Sequence, residues 1–423
     1  MSAEFTSPAP VVAAAPVGVV ADGPTLPVSR RWTFVYSMVW FGYWMANLVP
    51  LQLLIPQQLQ EIDPAGKVTD YAVVNGVSGF VALLALPVAG ALCDRSRSRF
   101  GRRRAWLGGG ALAFAAGLLA TGAQTTVWGV TLAWSAAMLG LGAATAGLTA
   151  VIADRVPERQ RGMISSAIYG PQALGVVVGI AVVSVFGLSA ANGYVVMAVL
   201  LVVCALPFLF SYRDVSHETE PALSLRAVFV SMADSLRNRE FAWAFGGRLL
   251  VNMANSLGTC YTLYFLADSL KVKDPEGSLL LATIAYLLAG LVATYVAGAL
   301  SDRLGRRRIF VALAAFLQAL AGFLVAAFPS MSHEIVASAL MGGGFGAYMA
   351  VDQALITQVL PDAESRAKDL GIMNIGAIVP PALAPLIASV IITSGLGYPV
   401  LFTTVGIGAA VGAILTYRVR SVR

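Results

Sequence analysis

Along most of the chain, apolar positions cluster into stretches of about 20 residues or more, the length an α-helix needs to cross a hydrocarbon layer of about 30 Å. Such segments fall at 33–56, 71–93, 105–124, 127–152, 164–187 and 191–212. A polar stretch from Arg213 to Glu240 interrupts them, and six more follow at 241–267, 278–300, 309–328, 334–358, 370–393 and 397–417. The pattern predicts an all-α polytopic membrane protein with twelve transmembrane helices in two pseudo-symmetric six-helix bundles, residues 32–212 and 241–417. An even number of crossings puts both ends on one side. Residues 1–31 then read as a disordered cytoplasmic tail and 418–423 as a short second one. Within the linker 213–240, Leu225, Val228, Met232 and Leu236 stand at near-helical spacing. They fit an amphipathic helix on the membrane surface or a linker helix without lipid contact.

Composition supports the membrane reading. Of 423 residues, 58% are hydrophobic and only 12% charged, against roughly 25% charged in soluble domains. A soluble chain of this size would lack the charges to coat its core. Cys93, Cys204 and Cys260 lie in or beside apolar stretches, and His217 and His333 stand alone. No disulfide framework, metal-ligand cluster or cofactor site is expected from them. The first 29 residues are broken by prolines and carry no basic residue, unlike a signal peptide.

A net charge of +6 raises the question of nucleic acid, and the position of the charges answers it. Of the 28 lysines and arginines, Lys67, Lys271 and Lys273 fall in loops away from the termini and Arg248 lies within a span. The other 24 are in the tails and the loops on the side of the termini. Basic residues favour cytoplasmic loops, so both termini are expected in the cytoplasm of a plasma-membrane protein. The inner arginines then meet anionic lipid headgroups, and no nucleic-acid partner is expected.

The two halves repeat. Gly90-Ala-Leu-Cys-Asp94-Arg95 returns as Gly298-Ala-Leu-Ser-Asp302-Arg303, and Asp154-Arg-Val-Pro157 returns more loosely as Gln358-Val-Leu-Pro361. Each motif follows the corresponding span of its half. Duplicated six-span architecture is what alternating-access carriers use.

Gly90-x-x-x-Asp94-Arg95, closing with Gly101-Arg102-Arg103-Arg104, resembles the loop signature of the major facilitator superfamily. Gly298-x-x-x-Asp302-Arg303-Leu-Gly305-Arg306 is its second, compact copy. The resemblance covers essentially the whole chain past Trp32. It implies that Asp94 and Asp302 accept hydrogen bonds from these arginines or face a neighbouring helix end, locking one conformation and releasing it in the other. A plain headgroup anchor is the simpler reading of the same arginines. The first copy carries four extra residues and looks like that of the glycoside–pentoside–hexuronide cation symporters and the sucrose–proton symporter-like carriers. Pro50-Leu-Gln-Leu-Leu-Ile-Pro56-Gln57-Gln58 and the Asp352-Gln353 pair are similar to the second group. Family members commonly work as monomers.

Ionisable residues inside a span are costly and point to function. Arg248 lies roughly 10 Å past the start of the seventh span, and Asp352 roughly 13 Å before the end of the tenth, at 1.5 Å per residue. Their similar depth suggests that they pair. Asp352 is also the deeply placed acid available to carry a proton, and its protonation would release Arg248 toward a substrate; a static ion pair is the alternative. Spans one to six contain no deep carboxylate.

Polar residues suggest a path. Tyr36, Trp40, Tyr43, Trp44, Asn47, Gln52, Gln57 and Gln58 cluster on the first span. Aromatic faces with amides suit a sugar, although tyrosine and tryptophan near span ends also form interfacial belts. Arg248, Asn252 and Asn255 share one helical face, facing the cavity or joining helices. Gly170-Pro171 with Gly175 resembles the glycine–proline motif of drug–proton antiporters. Pro380, Pro381 and Pro385 permit bending of the eleventh span, and the glycines at 342, 343, 344 and 346 suit close packing or bending of the tenth.

The expected function is a secondary active transporter working by alternating access, with proton-coupled uptake of a sugar or similar small polar solute favoured and proton-driven export of drugs or metabolites as the alternative. A membrane enzyme would need clustered His, Asp, Glu or Cys at membrane depth. A channel would need a selectivity filter or a ring of like charges.

Overall fold

The computed structural model describes residues 27–96, 98, 101–212, 238–359 and 366–419. Most of the N-terminal tail, the linker positions Leu225 to Leu236 and the last four residues lie outside the described residues. All the regular structure among the described residues is helical.

Twelve crossings appear where the apolar segments predict them. The first is α1 (Arg30–Val49), which passes through a π-helical turn, Pro50–Leu54, into α2 (Ile55–Ile62). It runs six residues past the apolar segment. The proline ring removes a backbone N–H, and the chain accommodates this by widening for one turn rather than stopping. Next come α3 (Lys67–Arg95), α4 (Arg102–Gly122), α5 (Val127–Arg155), α6 (Glu158–Val185) and α7 (Ala190–Ser211). The second half holds α8 (Arg239–Cys260), the short α9 (Thr262–Tyr264) with a π-helical turn at Phe265–Ser269, α10 (Pro275–Leu304) and α11 (Arg307–Ala327). It closes with α12 (Met331–Val359), α13 (Arg366–Ile391) and α14 (Gly397–Tyr417).

Several helices begin at polar caps beyond the apolar window. Ser29 accepts the Trp32 N–H at 3.2 Å, Thr126 that of Gly129 at 3.1 Å, and Asp274 that of Gly277 at 2.9 Å, with Pro275 at the first helical position. Nine helical stretches among the described residues are long and apolar enough to cross a membrane, the last running through α13 and α14. Outward-facing Leu288, Leu291, Val292 and Tyr295 on α10 are exposed, a surface suited to lipid and not to water.

Helix pairing reveals the duplication. In the first half α1 packs on α6 and α7, α5 on α3 and α4, and α4 on α7. In the second half α8 packs on α13 and α14, α12 on α10 and α11, and α11 on α14. Span for span, these are the same five pairings. The main helix contacts between the halves are α3 with α13 and α6 with α10, and each becomes the other when the halves are exchanged. The chain therefore has an approximate two-fold arrangement. A Cβ placed on Gly79 would lie 2.9 Å from Ala382 Cβ, and one on Gly76 3.0 Å from Leu386 Cδ2, so α3 and α13 approach closely.

The end of the molecule carrying both described termini and the arginine loops is called the basic face below, and the other end the opposite face.

Candidate functional site

The deepest charges meet inside the second half. Arg248 of α8 donates through Nη1 to Asp352 Oδ2 of α12, and both residues are 4% exposed. One helical turn along, Asn252 Nδ2 lies 3.3 Å from the Tyr348 hydroxyl and 2.8 Å from the Arg248 carbonyl. These are two rungs between antiparallel helices, with residues four apart on each matching residues four apart on the other. Asn255 accepts from the Tyr286 hydroxyl of α10 at 2.9 Å. The stripe Arg248, Asn252, Asn255 thus serves contacts within the half, the arrangement polar residues adopt between membrane helices. Arg248 Nε has no partner among the described residues, and α13 packs on the arginine's aliphatic stem, where a Cβ on Gly376 would stand 3.5 Å from Arg248 Cγ.

The polar residues of α1 divide into two kinds. Tyr43 is buried, and its hydroxyl meets that of Thr145 on α5. Tyr36 donates to the Leu148 carbonyl at 2.9 Å and the Trp44 indole to that of Ile168 at 3.0 Å. Trp40 stacks on Trp44 with centroids 5.7 Å apart. The structure therefore uses these aromatics to tie α1 to α5 and α6, the Tyr43 hydroxyl through Thr145. Gln58 donates to the carbonyls of Thr121 and Gln124. Asn47 and Gln52 are half-buried, and no hydrogen bond ties their amides to the described residues. They remain available to a solute.

At the basic face, the two motif copies share one feature. Gly101 has φ +94° and Gly305 φ +61°, conformations that favour glycine, so each copy needs its glycine to turn the chain. The side chains of Asp94, Arg95 and Asp302 lie outside the described residues. Arg103 Nε lies 2.8 Å from Asp154 Oδ2, with Arg102 at 3.9 Å. The carboxylate comes from the other repeated loop, at the end of α5, a pairing sequence reasoning missed. Arg303 and Arg306 are exposed. Gly90 is uncrowded and Gly298 meets only Ala350 Cβ at 3.8 Å, so neither is needed for close packing here.

The opposite face is where the halves are latched, a feature sequence reasoning did not find. Lys67 Nζ pairs with Asp268 Oδ1 at 2.7 Å and lies over the Tyr264 ring. Gln57 donates to Glu276. Tyr264 donates to the Pro56 carbonyl at 3.0 Å, and the Tyr261 hydroxyl lies 2.7 Å from the Val68 carbonyl and 3.1 Å from that of Pro385. Tyr71 sits against both rings. These contacts bridge the halves, so the opposite face is closed. The available signals were Lys67 and Asp268, opposite charges in the loops that follow the first and the seventh spans.

Known proteins place this geometry. The chain is 37% identical over 112 residues to a probable 4-methylmuconolactone transporter of Cupriavidus pinatubonensis (strain JMP 134 / LMG 1197), covering 26% of each chain. It is 35% identical over 133 residues to the multidrug resistance protein MdtL of Shewanella sp. (strain ANA-3), covering 31% of this chain and 33% of that one. The matched region thus spans about a quarter to a third of those relatives' length. Among solved structures, the nucleoside transporter NupG superposes with a TM-score of 0.71 at 14% identity, over 92% of this chain and 98% of that one. A POT family transporter in complex with a thioalcohol-conjugated peptide reaches 0.69 at 13% identity, over 90% and 94%. These names describe transport and drug resistance, not catalysis. The duplicated helix pairing has its counterpart in sequence, because one family model matches residues 32–273 and again 250–423: the chain belongs to the Major Facilitator Superfamily.

Proposed function

We propose that the chain is a secondary active transporter that moves a small polar organic solute, a sugar or a similar molecule, together with protons by alternating access. In this reading the six-helix units 32–212 and 241–417 move against each other in the plasma membrane, monomeric and with both termini in the cytoplasm. The observation that carries it is the buried Arg248–Asp352 pair. An isolated buried charge is costly, so proton arrival at Asp352 releases Arg248, and Arg248 then seeks another oxygen. A solute hydroxyl or carboxylate supplies one, and the uncommitted amides of Asn47 and Gln52 supply further polar contacts. The aspartates and arginines of Gly90–Arg102 and Gly298–Arg306 act as the basic-face gate, with anionic lipid around them. Charge state and conformation are coupled because solute and proton favour different states.

The relatives' names favour a second reading, proton-driven export of drugs, to which Gly170-Pro171 also speaks. Purified protein in liposomes holding a pH-sensitive dye separates the two. Lumen acidification on adding one sugar, lost in Asp352→Asn, is the expected result. Silence with all sugars and alkalinisation with cationic amphiphiles would transfer the assignment to export.

A further inference from the structure

A second buried carboxylate lies far from the first. Glu334 occupies the first turn of α12, at the opposite face, 18 residues and so about 27 Å from Asp352. It is 4% exposed. Its side chain lines a cavity of about 30 Å³, together with Thr259, Thr262, Tyr286, Ser338 and Met341 among others, and no lysine, arginine or histidine lines it. That volume admits a water or a small ion, for which about 10–15 Å³ of such space is enough, and it is far below the roughly 300 Å³ at which organic ligand pockets begin. The cavity takes an ion or a water, not a solute.

The oxygen-bearing side chains that line the cavity suit a cation. Ser338 Oγ donates to Glu334 Oε1 at 3.3 Å. Thr259 commits its proton to the Asn255 carbonyl at 2.9 Å, Thr262 lies 3.2 Å from the Thr259 carbonyl, and Tyr286 donates to Asn255 Oδ1 at 2.9 Å. With their protons directed at other acceptors, these hydroxyl oxygens keep lone pairs for a positive ligand. An ionised carboxylate in such a place needs an opposite charge. One carboxylate among neutral oxygens balances a single positive charge, whereas divalent ions usually draw on several carboxylates or on phosphates. Hard oxygen donors select hard cations.

We propose that Glu334, with the hydroxyl oxygens of Thr259, Thr262, Tyr286 and Ser338, forms a binding site for a monovalent cation of sodium size, entered from the opposite face. The site is separate from the proton-linked pair at Asp352. It does not depend on the transport reading, because occupancy is measured without flux. Asn255 links the two regions, since it follows Arg248 and Asn252 along α8 and accepts the Tyr286 bond.

Thermal unfolding of the purified full-length chain in detergent tests the site, with sodium, potassium or choline chloride at equal ionic strength. Sodium raises the Tm of the wild type above the choline value, because a ligand bound only by the native state stabilises it. Glu334→Gln keeps the shape, removes the charge and abolishes the sodium-specific rise. Thr259→Val keeps the carboxylate, removes one oxygen and shifts half-saturation to at least about tenfold higher sodium. Should Glu334→Gln fail to fold, the Thr259→Val titration carries the decision. An unchanged sodium midpoint in Thr259→Val, a sodium response surviving in Glu334→Gln, or a wild type indifferent to sodium and responsive only to protons would each overturn the proposal.

Discussion

A guanidinium at membrane depth is tolerable only while its carboxylate stays with it. Arg248 and Asp352 meet this condition, and their energetics are therefore asymmetric. Removing one partner leaves a buried charge and costs about 3–5 kcal/mol, whereas replacing both by apolar groups of similar size is close to neutral. Asp352→Asn should accordingly lower the unfolding temperature in detergent by more than Arg248→Met combined with Asp352→Leu, and both variants should lose proton-coupled flux. Equal losses of stability would remove the pair from the account. These two residues were legible in the sequence because no bland environment exists for an ionisable group inside about 20 apolar ones. The shared face of Arg248, Asn252 and Asn255 was legible from spacing alone. Their partners Tyr348 and Tyr286 were not, because the rotation of α8 against α12 and α10 leaves no one-dimensional pattern. Asp154, just past an apolar segment, reads as an ordinary loop acid until the fold brings Arg103 to it.

Between elements, the close contact of α3 with α13 is where bulk matters. A leucine at Gly79 meets Ala382, whose Cβ stands 2.9 Å from the new Cβ. Overpacking of this kind costs about 1–3 kcal/mol, and here the strain falls on an interface between the halves. Gly79→Leu should purify as a monodisperse folded protein yet transport at a reduced initial rate. Gly109→Ala on α4, where a new Cβ meets nothing within 4 Å, should match the wild type in both assays. A Gly79→Leu protein of normal rate would show that α3 and α13 do not move past each other during transport. The crossings themselves were readable from apolar length, but the π-helical turns at Pro50–Leu54 and Phe265–Ser269 were not. Hydropathy marks where a helix crosses the bilayer and is silent on how its hydrogen bonds shift within it.

For the whole molecule, closure of the opposite face rests on polar contacts between halves. Gln57→Cys with Glu276→Cys, in a chain whose Cys93, Cys204 and Cys260 are replaced, should lose transport when a short bismaleimide bridges them, and neither single variant should respond. Flux through the bridged protein would mean that transport does not require the halves to part at this latch. The Lys67–Asp268 pair is a weaker tie, since Asp268 is 38% exposed and pairs of this kind contribute about 0.2–1 kcal/mol. The repeat in the sequence announced two similar halves, but their docking depends on residues such as Tyr261 and Tyr264 that look like interfacial aromatics until their carbonyl partners are known. The close approach at Gly79 also has a mechanical side. Lys67 lies about 18 Å from it along α3 and Arg95 about 24 Å on the other side, at 1.5 Å per residue. If that contact acts as a pivot, α3 is a lever with unequal arms, and a tilt of about 13° that parts Lys67 from Asp268 by about 4 Å swings the basic-face end through about 5 Å. The mouth at the basic face then sweeps about a third further than the one at the opposite face, so the narrower of the two doors, the opposite one, sets the upper size of what passes.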